Sequence, residues 1–187
     1  MHRREALQRV AVILGGTVVG ADLFLTGCKS EEKKTSMTFA PEDVAYLDEI
    51  ADTIIPTTDT PGAKAAQVGT FLTVYVNDCY DEDHQKIFHE GMTKLNDASK
   101  KKFDADFMKL NAQQKHDLLV EVDKEQKDYQ KTKKKDDPQH YFRLMKEATL
   151  LGYFTSKIGA TQALRYIETP GHYDGCVPYK KGERAWA

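Results

Sequence analysis

Hydrophobic residues recur at helical spacing through most of the chain after residue 40, beginning with the stretch TFAPEDVAYLDEIADTII. Pro41 stands at a position typical of a first helical turn, and Glu42 and Asp43 follow where the helix dipole favours acids. The apolar side of this stretch carries residues three and four positions apart: Val44, Leu47, Ile50, Ala51 and Ile54. The pattern predicts an amphipathic helix that ends before Pro56.

The same period predicts further helical stretches along the chain. They span about 63–79, 81–103 and 104–126, the last with a break near Asn111. Residues 123–137 consist mainly of lysines and acids, which is typical of a solvated helix end followed by a loop.

The stretch 138–167 is apolar on more than one face, which predicts that it is the central helix of the fold. Gly152 and Gly159 weaken it locally, and Thr161 can restart a short last helix through Tyr166. We therefore expect one long helix followed by a short one.

Nowhere does the chain show a sustained alternation of apolar and polar residues that would require a β-sheet. After Thr169 the helical period also stops, and prolines, glycines and aromatic residues follow without a pattern. The sequence predicts an all-α fold, with a single bundle-like helical domain over 39–187 that ends in an irregular C-terminal arm.

The N-terminal residues have the pattern of an export signal. Arg3, Arg4 and Arg9 precede an apolar run over 10–21, which is shorter than the roughly 20 residues that cross a bilayer. The letters LTGC, ending at Cys28, match a lipobox. We predict a signal peptide over 1–27, lipidation of Cys28 and a polar tether over 28–38, as in a lipoprotein of the cell envelope on the periplasmic side or in the outer membrane.

Two alternatives stay open at this end of the chain. The paired arginines fit a twin-arginine signal, which exports folded proteins, but they also fit an ordinary secretory signal. The whole segment could instead be a buried N-terminal helix with an ordinary cysteine.

The net charge and the cysteines exclude some classes of function. With 27 basic and 29 acidic residues the formal net charge is −2, so no basic excess points to nucleic acid. Cys79 and Cys176 are a candidate disulfide in an exported protein, or else two separate thiols. Neither has a second ligand at chelating distance in the sequence, so we predict no metal site.

The chain lacks the motifs of an independent enzyme. It has no nucleophile elbow, no phosphate-binding glycine loop and no haem-attachment motif. No two of its histidines beyond the leader lie three or four positions apart on a predicted helix: His84, His89, His116, His140 and His172. The acids of the first helix are dense enough to be solvated, and the hydroxyls of Thr155 and Ser156 are expected to bond the local backbone. We predict no catalytic residue.

The loop between the first two helices is the most distinctive segment, since it carries two prolines and three threonines. Thr60 or Asp59 could cap the following helix. We interpret the loop first as a connector and then as part of a docking face for a partner, through Thr57, Asp59, Pro61 and Gly62.

The C-terminal arm offers a second set of docking residues, Tyr173, Tyr179 and Trp186. Aromatic side chains on a stiff irregular segment are effective anchors for a partner protein. The alternative is an arm that straps the protein's own core and is fastened by Cys176.

Two segments carry a family resemblance, IADTIIPTTDTPGAKAAQV and LLGYFTSKIGATQALRYIETPGHYDGCVPY. With them the chain resembles the gluconate 2-dehydrogenase subunit 3 family over about residues 39–187, and its leader resembles the lipoprotein branch of that family. One departure is Lys157, where many relatives are expected to carry an acid, so this position is not transferred to a partner contact.

The resemblance implies a non-catalytic, gamma-type small subunit of a membrane-associated dehydrogenase. Its partner would be a large flavoprotein of the glucose–methanol–choline type, which holds FAD and oxidises sugars, sugar acids or polyols. Electrons would leave through the haem of a cytochrome subunit or a c-type carrier. The small subunit would aid folding and twin-arginine export of the flavoprotein, and a lipid on Cys28 would anchor the complex.

Two rival functions remain at this stage. One is a standalone structural or binding lipoprotein of the cell envelope. The other is an enzyme that acts on sugars by itself, which would need turnover by the purified chain without a flavin partner.

Overall fold

The computed structural model describes residues 38–169, 171, 172 and 174–186. The helices are α1 (Pro41–Ile54), α2 (Val68–Cys79), α3 (Glu82–Phe103), α4 (Ala112–Thr132) and α5 (Tyr141–Thr155). A 3₁₀ turn covers Phe107–Lys109 and a π-helical turn covers Gly159–Ala163. The described residues contain no β-strand, so the predicted all-α class is confirmed.

The helix boundaries follow local signals at most ends. Pro41 begins α1, and the carboxylate of Asp43 accepts a hydrogen bond from the backbone N–H of Ala40 over 2.8 Å. Asn111 caps α4 by accepting a hydrogen bond from the backbone N–H of Gln114 over 2.9 Å, while the Gln114 side chain accepts from the N–H of Asn111. This reciprocal pair is a capping box, and it explains the break that the sequence predicts near Asn111.

Three predicted boundaries are wrong. Helix α2 begins at Val68 rather than near Ala63, because 63–67 forms a hydrogen-bonded turn. Helix α4 continues to Thr132 rather than ending near Gln126, although the charged stretch over 123–137 is a helix end followed by a loop, as predicted. The last predicted helix is replaced by the π turn, which begins at Gly159 and ends before Leu164.

Helix α5 is the central helix, as its apolar faces predict. It packs against α1, α2, α3, α4 and the π turn. Gly152 permits the close approach of α2, because an added Cβ would lie 2.4 Å from the ring of Phe71. The weak helix former at this position therefore serves packing rather than a break in the helix.

The core is formed by apolar side chains from all five helices. The largest of those that are almost fully buried are Tyr153, Phe88, Phe107, Phe142, Leu47, Ile50, Leu72, Leu95 and Met145. Each such side chain contributes about 1.5–3 kcal/mol through burial. Two hydroxyls lie fully buried among them, and both donate to backbone carbonyls: Ser99 to Ala105 and Thr149 to Met145, each over 2.7 Å.

Candidate functional site

The interhelix loop, residues 56–62, is closed by hydrogen bonds across its base. The backbone N–H of Gly62 donates to the hydroxyl of Thr57 over 3.0 Å, and the N–H of Ala63 donates to the carbonyl of Ile55 over 2.9 Å. Gly62 is buried, and an added Cβ would lie 2.6 Å from the backbone nitrogen of Thr57. Only glycine fits this position without a backbone shift, so the loop has a fixed shape.

The loop does not cap the helix that follows it, which corrects the expectation for Thr60 and Asp59. The N-cap of α2 is Gln67, in a left-handed conformation with φ 54° and without a side-chain cap. The carboxylate of Asp48 on α1 instead accepts a hydrogen bond from the backbone N–H of Gly69 over 2.7 Å. An acid of the neighbouring helix thus satisfies one of the free donors at the start of α2.

The interhelix loop is fastened to the central helix. The hydroxyl of Tyr153 donates to the carbonyl of Pro61 over 2.7 Å, and Tyr153 is only 2% exposed. Three residues farther on, the hydroxyl of Ser156 donates to the carbonyl of Tyr153 over 2.6 Å and accepts from the N–H of Gly159 over 3.0 Å. The C-terminal end of α5 is therefore tied both to the loop and to the π turn.

The C-terminal tail, here the described residues from 166 to 186, returns to the end of the same π turn. The backbone N–H of Arg165 donates to the carbonyl of Ala185 over 2.8 Å, and Arg165 and Trp186 form an isolated β-bridge. The guanidinium of Arg165 lies over the indole ring of Trp186, 4.2 Å from its centroid. At 3.5 Å the same guanidinium pairs with the carboxylate of Glu183.

Arg184 adds a second attachment. One terminal nitrogen of its guanidinium donates to the carbonyls of Gln162 over 2.9 Å and Thr161 over 3.1 Å, with the carbonyl of Leu164 at 3.5 Å. We call these contacts of Arg165 and Arg184 the tail latch. The interhelix loop and the tail are thus both held by the segment 153–165.

Helix α5 and the tail expose large apolar side chains. Those of the tail are the most exposed, and Tyr179 leads at 87%. The apolar side chains that lie at least one third exposed here, on α5 and the tail, are Leu150, Leu151, Phe154, Tyr166, Ile167, Val177, Tyr179 and Trp186. Aromatic anchors of this kind are enriched where proteins bind partner proteins.

Comparison with family models decides the identity of the domain. The model described as gluconate 2-dehydrogenase subunit 3 matches residues 41–171, more than half of the chain. The chain belongs to the gluconate 2-dehydrogenase subunit 3 family. Membership makes it an accessory subunit of a dehydrogenase complex. Comparisons with curated proteins and with solved structures gave no significant match.

Within this subunit, the match covers the interhelix loop, α5 and the π turn, and it ends at Gly171. Glu183, Arg184 and Trp186, which form the tail side of the latch, lie beyond the matched residues. The sequence resemblance spans about residues 39–187, so the match to the family model is shorter at this end.

The predicted docking residues fall into three groups. Thr57 and Asp59 are exposed on the interhelix loop, whereas Pro61 is half-buried and Gly62 is buried because they anchor the loop. Tyr179 and Trp186 are exposed on the tail. Tyr173 lies outside the described residues, and so does the predicted lipidation site, Cys28.

Sequence reasoning missed three residues that organise this end of the subunit: Tyr153, Arg165 and Arg184. Tyr153 resembles any other apolar position of an apolar helix. For the two arginines, the one indication in the sequence is that they flank the aromatic tail. Their partners are backbone carbonyls and a ring that only the fold brings near.

The structure does not contain the candidate disulfide. Cys79, the last residue of α2, and Cys176, on the tail, are both free and exposed. The tail is held instead by the guanidinium contacts of the latch. The exposed position of both thiols leaves each accessible to solvent rather than packed in the core.

A separate groove of about 500 Å³ lies between α2, the start of α3 and α5. Tyr80 lies in it, and burial raises the pKa of its hydroxyl to about 12. The hydroxyl donates to the carbonyl of Leu144 over 3.4 Å. Neighbouring Asp81 caps α3, and its hydrogen bonds from the backbone and side chain of His84 lower the pKa of the carboxyl. These contacts are structural.

The acidic side chains of α1 make specific contacts and do not simply form a solvated face. Glu49 accepts a hydrogen bond from the ammonium of Lys115 on α4 over 2.6 Å and forms a second ion pair with Lys64. The hydrogen bond from Lys115, followed by that from Lys64, lowers the pKa of the Glu49 carboxyl. Glu49 therefore joins α1 to α4 through its ion pair with Lys115.

Among the described residues, no three histidine, cysteine or acidic side chains lie close enough together to hold a metal ion. None of the helices in that part of the chain is long and apolar enough to cross a membrane.

Proposed function

We propose that this chain is the non-catalytic small subunit of an exported, membrane-anchored dehydrogenase complex whose large subunit is a flavoprotein of the glucose–methanol–choline type. The observation that carries the proposal is the family match over residues 41–171. In such a complex FAD belongs to the large subunit and haem to a cytochrome partner, and the substrate is a sugar or a sugar acid of the gluconate type. The small subunit aids the folding and export of the flavoprotein.

The contacts of the polar side chains support a role without chemistry of its own. A general acid or base must reach a substrate with a tuned pKa. Asp48 accepts a hydrogen bond from the start of α2, and Glu49 is paired with two lysines. The hydroxyls of Thr155 and Ser156 donate to the carbonyls of Leu151 and Tyr153, as the sequence suggested.

We propose that the flavoprotein docks on the end of the subunit that carries the interhelix loop and the tail. The loop presents Thr57 and Asp59 on a backbone of fixed shape, so little conformational entropy is lost when they are bound. The tail presents Tyr179 and Trp186, whose rings supply a large contact area with few rotatable bonds.

The export signal and the lipobox support a location in the cell envelope. A lipid on Cys28 would anchor the complex to a membrane, with the polar tether as a spacer. The paired Arg3 and Arg4 fit export of an already folded complex, which a flavoprotein with bound FAD requires.

The first experiment is a pull-down of the tagged full chain from its own host, followed by an absorbance spectrum. We expect a large flavoprotein to co-elute with a flavin spectrum that bleaches when a sugar acid is added. An eluate that contains this chain alone, even after mild crosslinking, would contradict a stable subunit and favour a standalone lipoprotein. Turnover by the chain alone would contradict its non-catalytic role.

Two variants test the docking surface and the anchor. Tyr179→Ala should reduce recovery of the flavoprotein, whereas Val120→Ala on α4, which removes an apolar side chain that is 53% exposed, should not. Cys28→Ser should release the complex from the membrane fraction without dissociating it. Equal recovery with both alanine variants would place the interface elsewhere on the subunit.

A further inference from the structure

The tail latch closes the chain on itself. Arg165 directly precedes the tail, and Glu183, Arg184 and Trp186 lie at its far end. Backbone pairing of Arg165 with Ala185, stacking of Arg165 on Trp186 and the carbonyl contacts of Arg184 all lie at this junction. The segment between them is therefore a loop with fixed ends.

Arg184 is suited to this position by its chemistry. The last carbonyls of a helical turn lack partners within the turn, and those of Thr161 and Gln162 receive hydrogen bonds from Arg184. A charged donor makes stronger hydrogen bonds than a neutral one. The planar guanidinium also holds its donors in a fixed fork, whereas a lysine is a flexible point charge.

Arg165 contributes through its ring contact and its ion pair. A guanidinium that lies 4.2 Å from an indole centroid gains a cation–π interaction. Trp186 is nevertheless 55% exposed, so its other face is open to solvent. The ring is held in place without being buried, as a side chain available to a partner would be.

The residues between the two ends are exposed and partly apolar. Tyr166, Ile167, Val177 and Tyr179 are each at least 50% exposed. A long segment with free ends would lose much conformational entropy on binding, and fixing its ends in advance removes part of that cost.

We propose that the tail latch preorganises the tail for docking of the large dehydrogenase subunit, with Arg165 and Arg184 as positioning residues. The inference rests on the proposed function for its partner, but the latch itself rests only on contacts within this chain. Arg165 lies within the residues that the family model matches, whereas Arg184 and Trp186 lie beyond them.

Trp186 is the only tryptophan of the chain, so its fluorescence reports directly on the latch. In Arg184→Gln we expect the emission of Trp186 to change and its quenching by acrylamide to increase. Cleavage by chymotrypsin after Tyr179 should also become faster. Arg184→Lys should restore the wild-type behaviour only in part. The matched control is Arg143→Gln, which removes an arginine that pairs with Glu147 within α5.

The second part of the inference is that the latch aids docking. It is tested by measuring the affinity of each variant for the flavoprotein that the pull-down recovers. We expect Arg184→Gln to weaken binding by about tenfold, the equivalent of ordering one or two side chains. The urea midpoint of the helical domain should stay within error of wild type, because the latch lies outside the core. A lower midpoint would assign Arg184 to fold stability and overturn the positioning role.

These experiments test separately whether the latch exists and whether it aids docking. Unchanged Trp186 quenching and unchanged cleavage in Arg184→Gln would overturn the latch. An opened tail with wild-type affinity for the flavoprotein would overturn preorganisation while the proposed function stands. If the wild-type chain itself fails to bind a flavoprotein, the proposed function fails and the docking role fails with it, whereas the fluorescence still decides whether the latch exists.

Discussion

The hydroxyl of Tyr153 donates a hydrogen bond to the carbonyl of Pro61 over 2.7 Å, joining two residues that are 92 positions apart in the chain. One bond thus connects the central helix to the loop that carries Thr57 and Asp59. Since Tyr153 is almost fully buried, the ring packs in the core while its oxygen fixes the loop.

Replacing Tyr153 by Phe should therefore loosen the interhelix loop. The variant keeps the ring but leaves the Pro61 carbonyl without this donor, so we expect a loss of about 1 kcal/mol in the free energy of unfolding. Urea denaturation followed by circular dichroism measures it. Tyr166→Phe, at a side chain that is 53% exposed, is the control and should be neutral. Equal stability of the two variants would contradict a structural role for the Tyr153 hydroxyl.

Gly69 should not tolerate a side chain. An added Cβ would lie 2.5 Å from the backbone oxygen of Val44 and 2.6 Å from the Asp48 oxygen that receives its hydrogen bond. Gly69→Ala would push α1 and α2 apart, and we expect it to destabilise the domain by about 1–3 kcal/mol. Gly171→Ala is the matched control, since nothing lies within 4 Å of a Cβ at that position. A loss no larger than that of the control would show that α1 and α2 can separate freely.

Glu49 should make stability sensitive to acid. Its hydrogen bonds from Lys115 and Lys64 lower the pKa of its carboxyl below the ordinary value of 4.5. The stability that it contributes is therefore complete above pH 4.5 and is lost as the pH falls through the lowered folded-state pKa. Unfolding free energies measured between pH 7 and pH 3 should fall less steeply in Glu49→Gln than in wild type. Glu90→Gln, at an exposed carboxylate paired with Lys94, should keep the wild-type slope.

His140 should make the stability of the domain depend on pH in a higher range than Glu49 does. Its Nδ1 accepts a hydrogen bond from the backbone N–H of Phe142 over 3.2 Å at the start of α5. Burial lowers the pKa of the imidazole below 6.5, and nearby Lys94 acts in the same direction while Glu125 opposes it. A lowered histidine pKa means that stability is complete above pH 6.5 and decreases as the pH falls below it.

His140→Asn tests this prediction, because asparagine can cap the helix without titrating. We expect the variant to lose the decrease in unfolding free energy just below pH 6.5 while keeping the later decrease that Glu49 causes. His116→Asn, at a side chain that is 61% exposed on α4, is the control. An unchanged profile in His140→Asn would mean that the decrease below pH 6.5 has another origin.

Several features of the fold could be predicted from sequence because their causes are local. The first turn at Pro41, the end of α1 before Pro56 and the break near Asn111 each follow from a residue that acts on its own neighbours. The central position of α5 follows from apolar residues on more than one face, which must be buried on several sides. The two quoted segments were also enough to indicate the family that the model match over 41–171 shows.

The remaining features depend on contacts between residues far apart in the chain, which no local pattern encodes. At the start of α2, Asp48 of α1 accepts a hydrogen bond from the backbone N–H of Gly69, a contact that the spacing of the acids on α1 does not reveal. Pro61 meets Tyr153, and Arg184 meets the carbonyls of the π turn, only once the helices have packed. Helical period and motif are properties of neighbouring residues, so the α-helices and the family follow from the sequence, apart from the start of α2, the end of α4 and the π turn. Which polar groups pair is set by packing, because backbone carbonyls carry no sequence signature and acquire partners when the fold brings donors within about 3 Å.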